Sequence, residues 1–199
     1  MVTGFVLAGG QSSRMGRDKA LLPVGSQTLI EMVIERIQSL VERVVVIGSP
    51  RNVQWLGKRL AHTVLTDFTP DCGPMMGVYT GLMHTETALN LFVSCDMPWV
   101  EGQLIERLVS HCQGDIRVVA SLHPSEEIQP FPLICDVKAC RTIGALLDRG
   151  ERSLQALMRH PNTQLVRIEA PELWRSFTNV NTVADYAKLA EETPLTRRS

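Results

Sequence analysis

The chain has 199 residues, of which 20 are Lys or Arg and 21 are Asp or Glu, for a formal net charge of −1. That balance argues against binding nucleic acid through a general basic surface, and no run of about 18 apolar residues is present to cross a membrane. A hydrophobic content of 44% suits an ordinary buried core, and the opening MVTGFVLAGG, with no basic lead, is not expected to be a secretory leader.

The first predicted element is TGFVLA (3–8), a short apolar run halted by Gly9-Gly10, which is the pattern of a buried strand. From Thr28 the period changes. Ile30, Val33, Ile34, Ile37, Leu40 and Val41 recur at helical spacing, with Glu31, Glu35, Arg36 and Gln38 on the opposite face. RVVVIG (43–48) is a second strand, 54–61 a short helix, and TVLTD (63–67) a third strand that ends on a carboxylate. FTPDCGPMMG (68–77) is rich in Pro and Gly and is predicted as loop, followed by helix over 78–87.

NLFVSCD (90–96) repeats the pattern of an apolar strand ending on a carboxylate. An amphipathic helix is predicted over 101–112. DIRVVASL (115–122) and FPLICD (131–136) are further strands, joined by the polar HPSEEIQP. Helices over 138–149 and 153–159 and a late strand TQLVRIE (163–169) follow. The last helix opens after NVN with Thr182 and Asp185 in a capping box. Strands alternating with helices predict a three-layer α/β/α Rossmann-like fold with a mostly parallel sheet. One domain is expected over 1–192, with 193–199 a frayed tail. Five cysteines at 72, 95, 112, 135 and 140 show no zinc-type spacing and are expected to be reduced thiols of a cytoplasmic protein. Pairing of Cys135 with Cys140, or metal binding by the two, is the less favoured alternative.

The stretch LAGGQSSRMGRDK (7–19) places glycines behind a strand and cations at the far end. Glycines let backbone N–H groups approach an anion closely. Arg14 adds a planar fork for phosphate oxygens and Lys19 a point charge. The expected ligand is a nucleoside triphosphate. Neither GxGxxG nor GxxxxGK[ST] is present, so the dinucleotide and P-loop sites those motifs mark are not expected. In sheets of this class ligands bind beyond the carboxyl ends of the strands, which selects 7–19, Asp67 and Asp96 together.

LAGGQSSRMGRDKALL resembles the N-terminal signature of nucleotidyltransferases. With Gly9-Gly10 in place of the Ala-Gly usual in cytidylyltransferase relatives, it is similar to the molybdenum cofactor guanylyltransferases. TDFTPDCGPMMGVYTGL, FVSCDMPWV and FTNVNTVADYAKL resemble three later family segments, in family order across 5–190.

The resemblance implies Mg²⁺-dependent transfer of GMP from GTP to the terminal phosphate of molybdopterin, with release of pyrophosphate. It implies backbone contacts to the nucleotide from Leu7, Ala8, Gly9 and Gly10, and nucleoside contact from Asp67, to guanine or to ribose. Asp96 is the implied Mg²⁺ ligand, and Lys19 and Arg14 the implied phosphate ligands. Asn179 and Asn181 are expected on one side of an extended segment, in catalysis or in binding the second substrate. His123 and Pro124 fall in the stretch that resembles the acceptor side.

Where the family often has an asparagine facing the nucleotide, this chain has Gly48-Ser49, so Ser49 or the backbone is expected to replace it. GTP and molybdopterin are the implied partners, together with proteins that deliver molybdopterin or accept the finished cofactor. Cytidylyl transfer to the same cofactor, sugar-phosphate nucleotidyl transfer and a non-catalytic nucleotide-binding protein stay open as alternatives.

Overall fold

The apolar run behind the glycines forms the strand β1, Val2–Ala8, at the middle of the sheet. The computed structural model describes residues 1–9, 18–67 and 73–193. Gly10, Arg14 and the predicted tail beyond 193 therefore lie outside the described residues. A 3-10 turn at Lys19–Leu21 and a small hairpin of β2 (Pro23–Val24) and β3 (Gln27–Thr28) follow. None of these was expected from the periodicity, because two- and three-residue elements carry no period to read.

Helix α1 spans Leu29–Ile37. The apolar spacing through Val41 overstates it, because Leu40 and Val41 pack against the core from beyond its end. Then come β4 (Arg43–Gly48), α2 (Val53–Arg59) and β5 (Thr63–Thr66). Helix α3 covers Pro74–His84, which corrects the prediction that 74–77 is loop. Gly73, at φ +75°, makes the turn, and Pro74 then serves as a first helical residue, where its missing N–H costs nothing.

Next are β6 (Leu89–Ser94), α4 (Gly102–His111), β7 (Val118–Leu122) and β8 (Ile128–Asp136). Strand β8 begins three residues earlier than FPLICD suggested. The chain continues through α5 (Ala139–Asp148), α6 (Leu154–Met158), β9 (Thr163–Arg167), a 3-10 segment at Pro171–Phe177 and α7 (Val183–Glu192). Helix α7 opens with the expected capping box, in which Asp185 accepts from the Thr182 amide at 2.8 Å and Thr182 Oγ1 accepts from the Asp185 amide at 3.1 Å.

The seven-stranded sheet has the order β5-β4-β1-β6-β8-β7-β9. Strand β8 is antiparallel to β6 and β7, and the other pairings are parallel. Alternate strand residues serve opposite layers. Val6, Val46 and Val93 face α1 and α4, while Phe5, Val45 and Phe92 face α3, α5 and α6. The largely apolar central strands thus reflect burial on both faces.

Helix α3 lies close on the sheet. A Cβ on Gly81 would sit 2.5 Å from the Phe92 ring, and Phe92 stacks on Phe5 with centroids 4.9 Å apart. Cys95, Cys112, Cys135 and Cys140 are all free thiols, so Cys135 and Cys140 are not paired.

Candidate active site

Strand order reverses between β1 and β6: the chain builds β4 and β5 outward on one side of β1, then places β6 on the other. Such a switch point leaves a crevice at the carboxyl ends of the two strands. The register aligns Leu7 with Ser94 and with Ile47, Ala8 with Gly48, and Gly48 with Thr66. The ladder continues one step past the strands, with the Cys95 amide donating to Leu7 O at 3.0 Å and the Asp67 amide to Gly48 O at 2.9 Å. Gly9, Ser49, Asp67 and Asp96 therefore emerge along one rim.

Three side chains meet there from positions far apart in the chain. Lys19 Nζ lies 3.4 Å from Asp96 Oδ2 and donates to Asn181 Oδ1 at 2.7 Å. The Lys19 and Asp96 side chains are only 19% and 15% exposed, so the pair is weakly screened by solvent. Asn181 is held by the α7 cap, where its own amide donates to Asp185 Oδ2 at 3.0 Å. The Val180 amide donates to Asp96 O at 2.9 Å and docks the segment before α7 against the end of β6. Asn179, on the other side of Val180, is exposed.

Asp96 Oδ1 is buried and has no hydrogen-bond partner among the described residues. A buried carboxylate oxygen without a partner beside the switch point fits a hard cation that keeps waters and phosphate oxygens as its other ligands. No group of three or more His, Cys, Asp or Glu suited to a metal occurs among the described residues; an Mg²⁺ site built largely on substrate phosphates needs none. Burial pushes the neighbouring Cys95 thiol well up, and the Asp96 and Asp18 carboxylates add to it. Beside the site it packs as a buried thiol.

Asp67 Oδ1 accepts from Thr80 Oγ1 of α3 at 3.0 Å, and Thr80 is fully buried. A Cβ on Gly9 would stand 3.8 Å from Asp67 Oδ2 and 3.9 Å from the Ser49 amide, ordinary contact distances. The bare glycine therefore leaves open the space between the β4 and β5 ends. His123, the first residue of the β7–β8 connection, packs on Trp174 with centroids 4.8 Å apart and on Phe177 at 6.4 Å. Among the predicted site residues, Leu7, Ala8, Gly9, Lys19, Asp67, Asp96 and Asn181 converge on this rim, whereas Gly10 and Arg14 lie outside the described residues.

The motif reading missed Asp18, Asn52 and Thr80. The Asn52 amide donates to Ala8 O at 2.8 Å and to Asp18 Oδ2 at 2.6 Å. An asparagine just before a helix reads as a cap, so nothing in the sequence set it apart.

A mostly parallel sheet that brings Gly9, Lys19 and Asp96 together at its switch point defines a nucleotide-handling α/β enzyme of the nucleotidyltransferase class. Residues 4–166 match the MobA-like NTP transferase domain, and the chain belongs to that family. It is 33% identical over 188 residues to the molybdenum cofactor guanylyltransferase of Vibrio parahaemolyticus, covering 94% of this chain and 93% of the relative. It is equally 33% identical to the one from Yersinia pestis, with 92% of each chain covered. The fold is shared with molybdopterin-guanine dinucleotide biosynthesis protein A from Archaeoglobus fulgidus, at a TM-score of 0.81 and 21% identity over 96% of this chain and 97% of that one.

Proposed function

We propose that this chain transfers GMP from GTP to the terminal phosphate of molybdopterin and releases pyrophosphate, as the names of its relatives suggest. The observation that carries the reading is the meeting of Lys19, Asp96 and Asn181 beside Gly9 at the switch point. The backbone of 7–10 would approach the nucleotide, and Asp67, braced by Thr80, would accept from guanine N–H groups or ribose hydroxyls. Lys19 would offset charge on the departing pyrophosphate. Arg14 would take phosphate oxygens of GTP or of the second substrate. Asn179 and Asn181 would orient the acceptor without adding charge. The attacking phosphate is ionised at neutral pH and requires no general base, so these groups act by positioning and charge stabilisation.

Asp96 would hold Mg²⁺ through Oδ1, and the ion when bound supplies charge neutralisation on the triphosphate. Residues 1–192 act as one domain in this reading. It also sets the protein in the cytoplasm, with GTP and molybdopterin as substrates and proteins that supply or receive the cofactor as further partners. Thermal unfolding with Mg-GTP and with Mg-CTP tests the nucleotide. A ligand at 100 times its Kd stabilises by about 2.7 kcal/mol, so the melting temperature should rise with GTP. Stabilisation by CTP alone rejects the guanylyl assignment, and absence of pyrophosphate release with molybdopterin present rejects the reaction.

A further inference from the structure

Asn52 stands immediately before α2, where an asparagine ordinarily caps the helix, yet its side chain makes no capping bond. It is 5% exposed, and its amide points the other way. Oδ1 accepts from the Ser49 amide at 2.9 Å, while Nδ2 donates to Ala8 O at 2.8 Å and to Asp18 Oδ2 at 2.6 Å. Asp18 Oδ1 in turn accepts from the Ala20 amide at 3.0 Å and caps the turn that begins at Lys19. Gly48 makes room for this arrangement, since a Cβ there would lie 2.7 Å from Asn52 Oδ1. One buried amide thus joins the end of β1, the end of β4 and the residue before Lys19.

We infer that Asn52 is a positioning residue for nucleotidyl transfer, clamping Ala8 to Asp18 so that Lys19 is held on Asp96 and Asn181. The inference rests on the reading that Lys19 serves the triphosphate. A lysine reaches its target through a long flexible stem, so its placement depends on how firmly its backbone is fixed. Misplacement by about 1 Å is enough to cost on the order of a hundredfold in rate. Without the amide, Ala8 O and Asp18 Oδ2 lose a shared donor, and the turn carrying Lys19 loses this tie to the end of β1.

The test is a double-mutant cycle on the full chain, read as kcat for pyrophosphate release from Mg-GTP with molybdopterin. Asn52→Ala should lower kcat by about tenfold or more, and adding it to Lys19→Ala should lower it by less than about twofold, because the clamp then has nothing left to position. The same factor in both backgrounds means a general structural role and overturns the inference. So does an Asn52→Ala enzyme with normal kcat.

Asp18→Asn keeps the shape of the half-buried Asp18 and tests the clamp even if Asn52→Ala fails to fold. Either way round, its amide loses one of the two bonds, to Asn52 or to Ala20. It should lower kcat in the Lys19 background and not in Lys19→Ala; Asp18→Leu, which accepts from neither Asn52 nor Ala20, removes the bond in any orientation, and an unchanged kcat in both variants overturns the clamp. If Lys19→Ala itself turns over normally, the functional reading falls and this inference with it. A large Lys19→Ala loss with a fully additive Asn52→Ala loss removes the inference alone.

Discussion

Lys19 and Asp96 are 77 positions apart in the chain and 3.4 Å apart in space. Removing one member of a mostly buried charge pair leaves the other uncompensated. In the proposed reaction the loss falls mainly on turnover, because the pair would face the phosphates. Asp96→Ala should lower pyrophosphate release by about a hundredfold or more while GTP still binds weakly. Near-normal turnover in that variant would remove Asp96 from the metal role. Lys19→Ala should cost more than Ser12→Ala in the same assay, and equal effects would take Lys19 out of the site. Lys19 and Asp96 were legible in the sequence because a cation after a glycine turn and a carboxylate after an apolar strand are unusual local chemistry. Asn52 and Thr80 were not, since a buried amide or hydroxyl shows its purpose only through partners distant in the chain.

At the scale of elements, the close seating of α3 on the sheet depends on Gly81 and the stacked Phe5–Phe92 pair. A methyl at Gly81 would force the Phe92 ring to shift, and overpacking of this kind costs about 1–3 kcal/mol. Gly81→Ala should therefore lower the urea midpoint clearly; an unchanged midpoint would show that the ring moves freely.

Helix α1 carries a second measurable feature. The Thr28 amide and hydroxyl both donate to Glu31 Oε2 at 2.7 Å, and Arg59 lies on the same oxygen at 3.0 Å. Partial burial alone would raise the Glu31 carboxyl, but the bonds from Thr28 and Arg59 outweigh it and hold it below the ordinary 4.5. A folded-state value below the unfolded one means the stabilisation is complete above the ordinary value and is lost as pH falls through the lowered one. The stability gap between the native chain and Glu31→Gln should close on acidification below about pH 4.5; a gap constant down to pH 3 would contradict it. The helical period made α1 and α4 readable. The start of α3 was not, because Gly-Pro-Met-Met-Gly signals a turn locally while the sheet beside it selects helix.

For the whole molecule, both faces of the sheet are covered, and this decides the fate of the thiols. Burial pushes Cys95 and Cys135 well up, so both should resist a maleimide in the native protein and react after unfolding. Peptide mapping that finds native Cys95 modified would mean that the rim opens to solvent. The amino-acid order by itself determined the alternation of strands and helices and the carboxylates placed at strand ends, because periodicity and residue type are local properties. The tertiary structure alone decided that β6 lies beside β1, which brings Asp96 to Lys19. It also decided that Asn181 completes the contact and that Asn52 ties the rim together, because distances between segments far apart in the chain are set by how the layers pack.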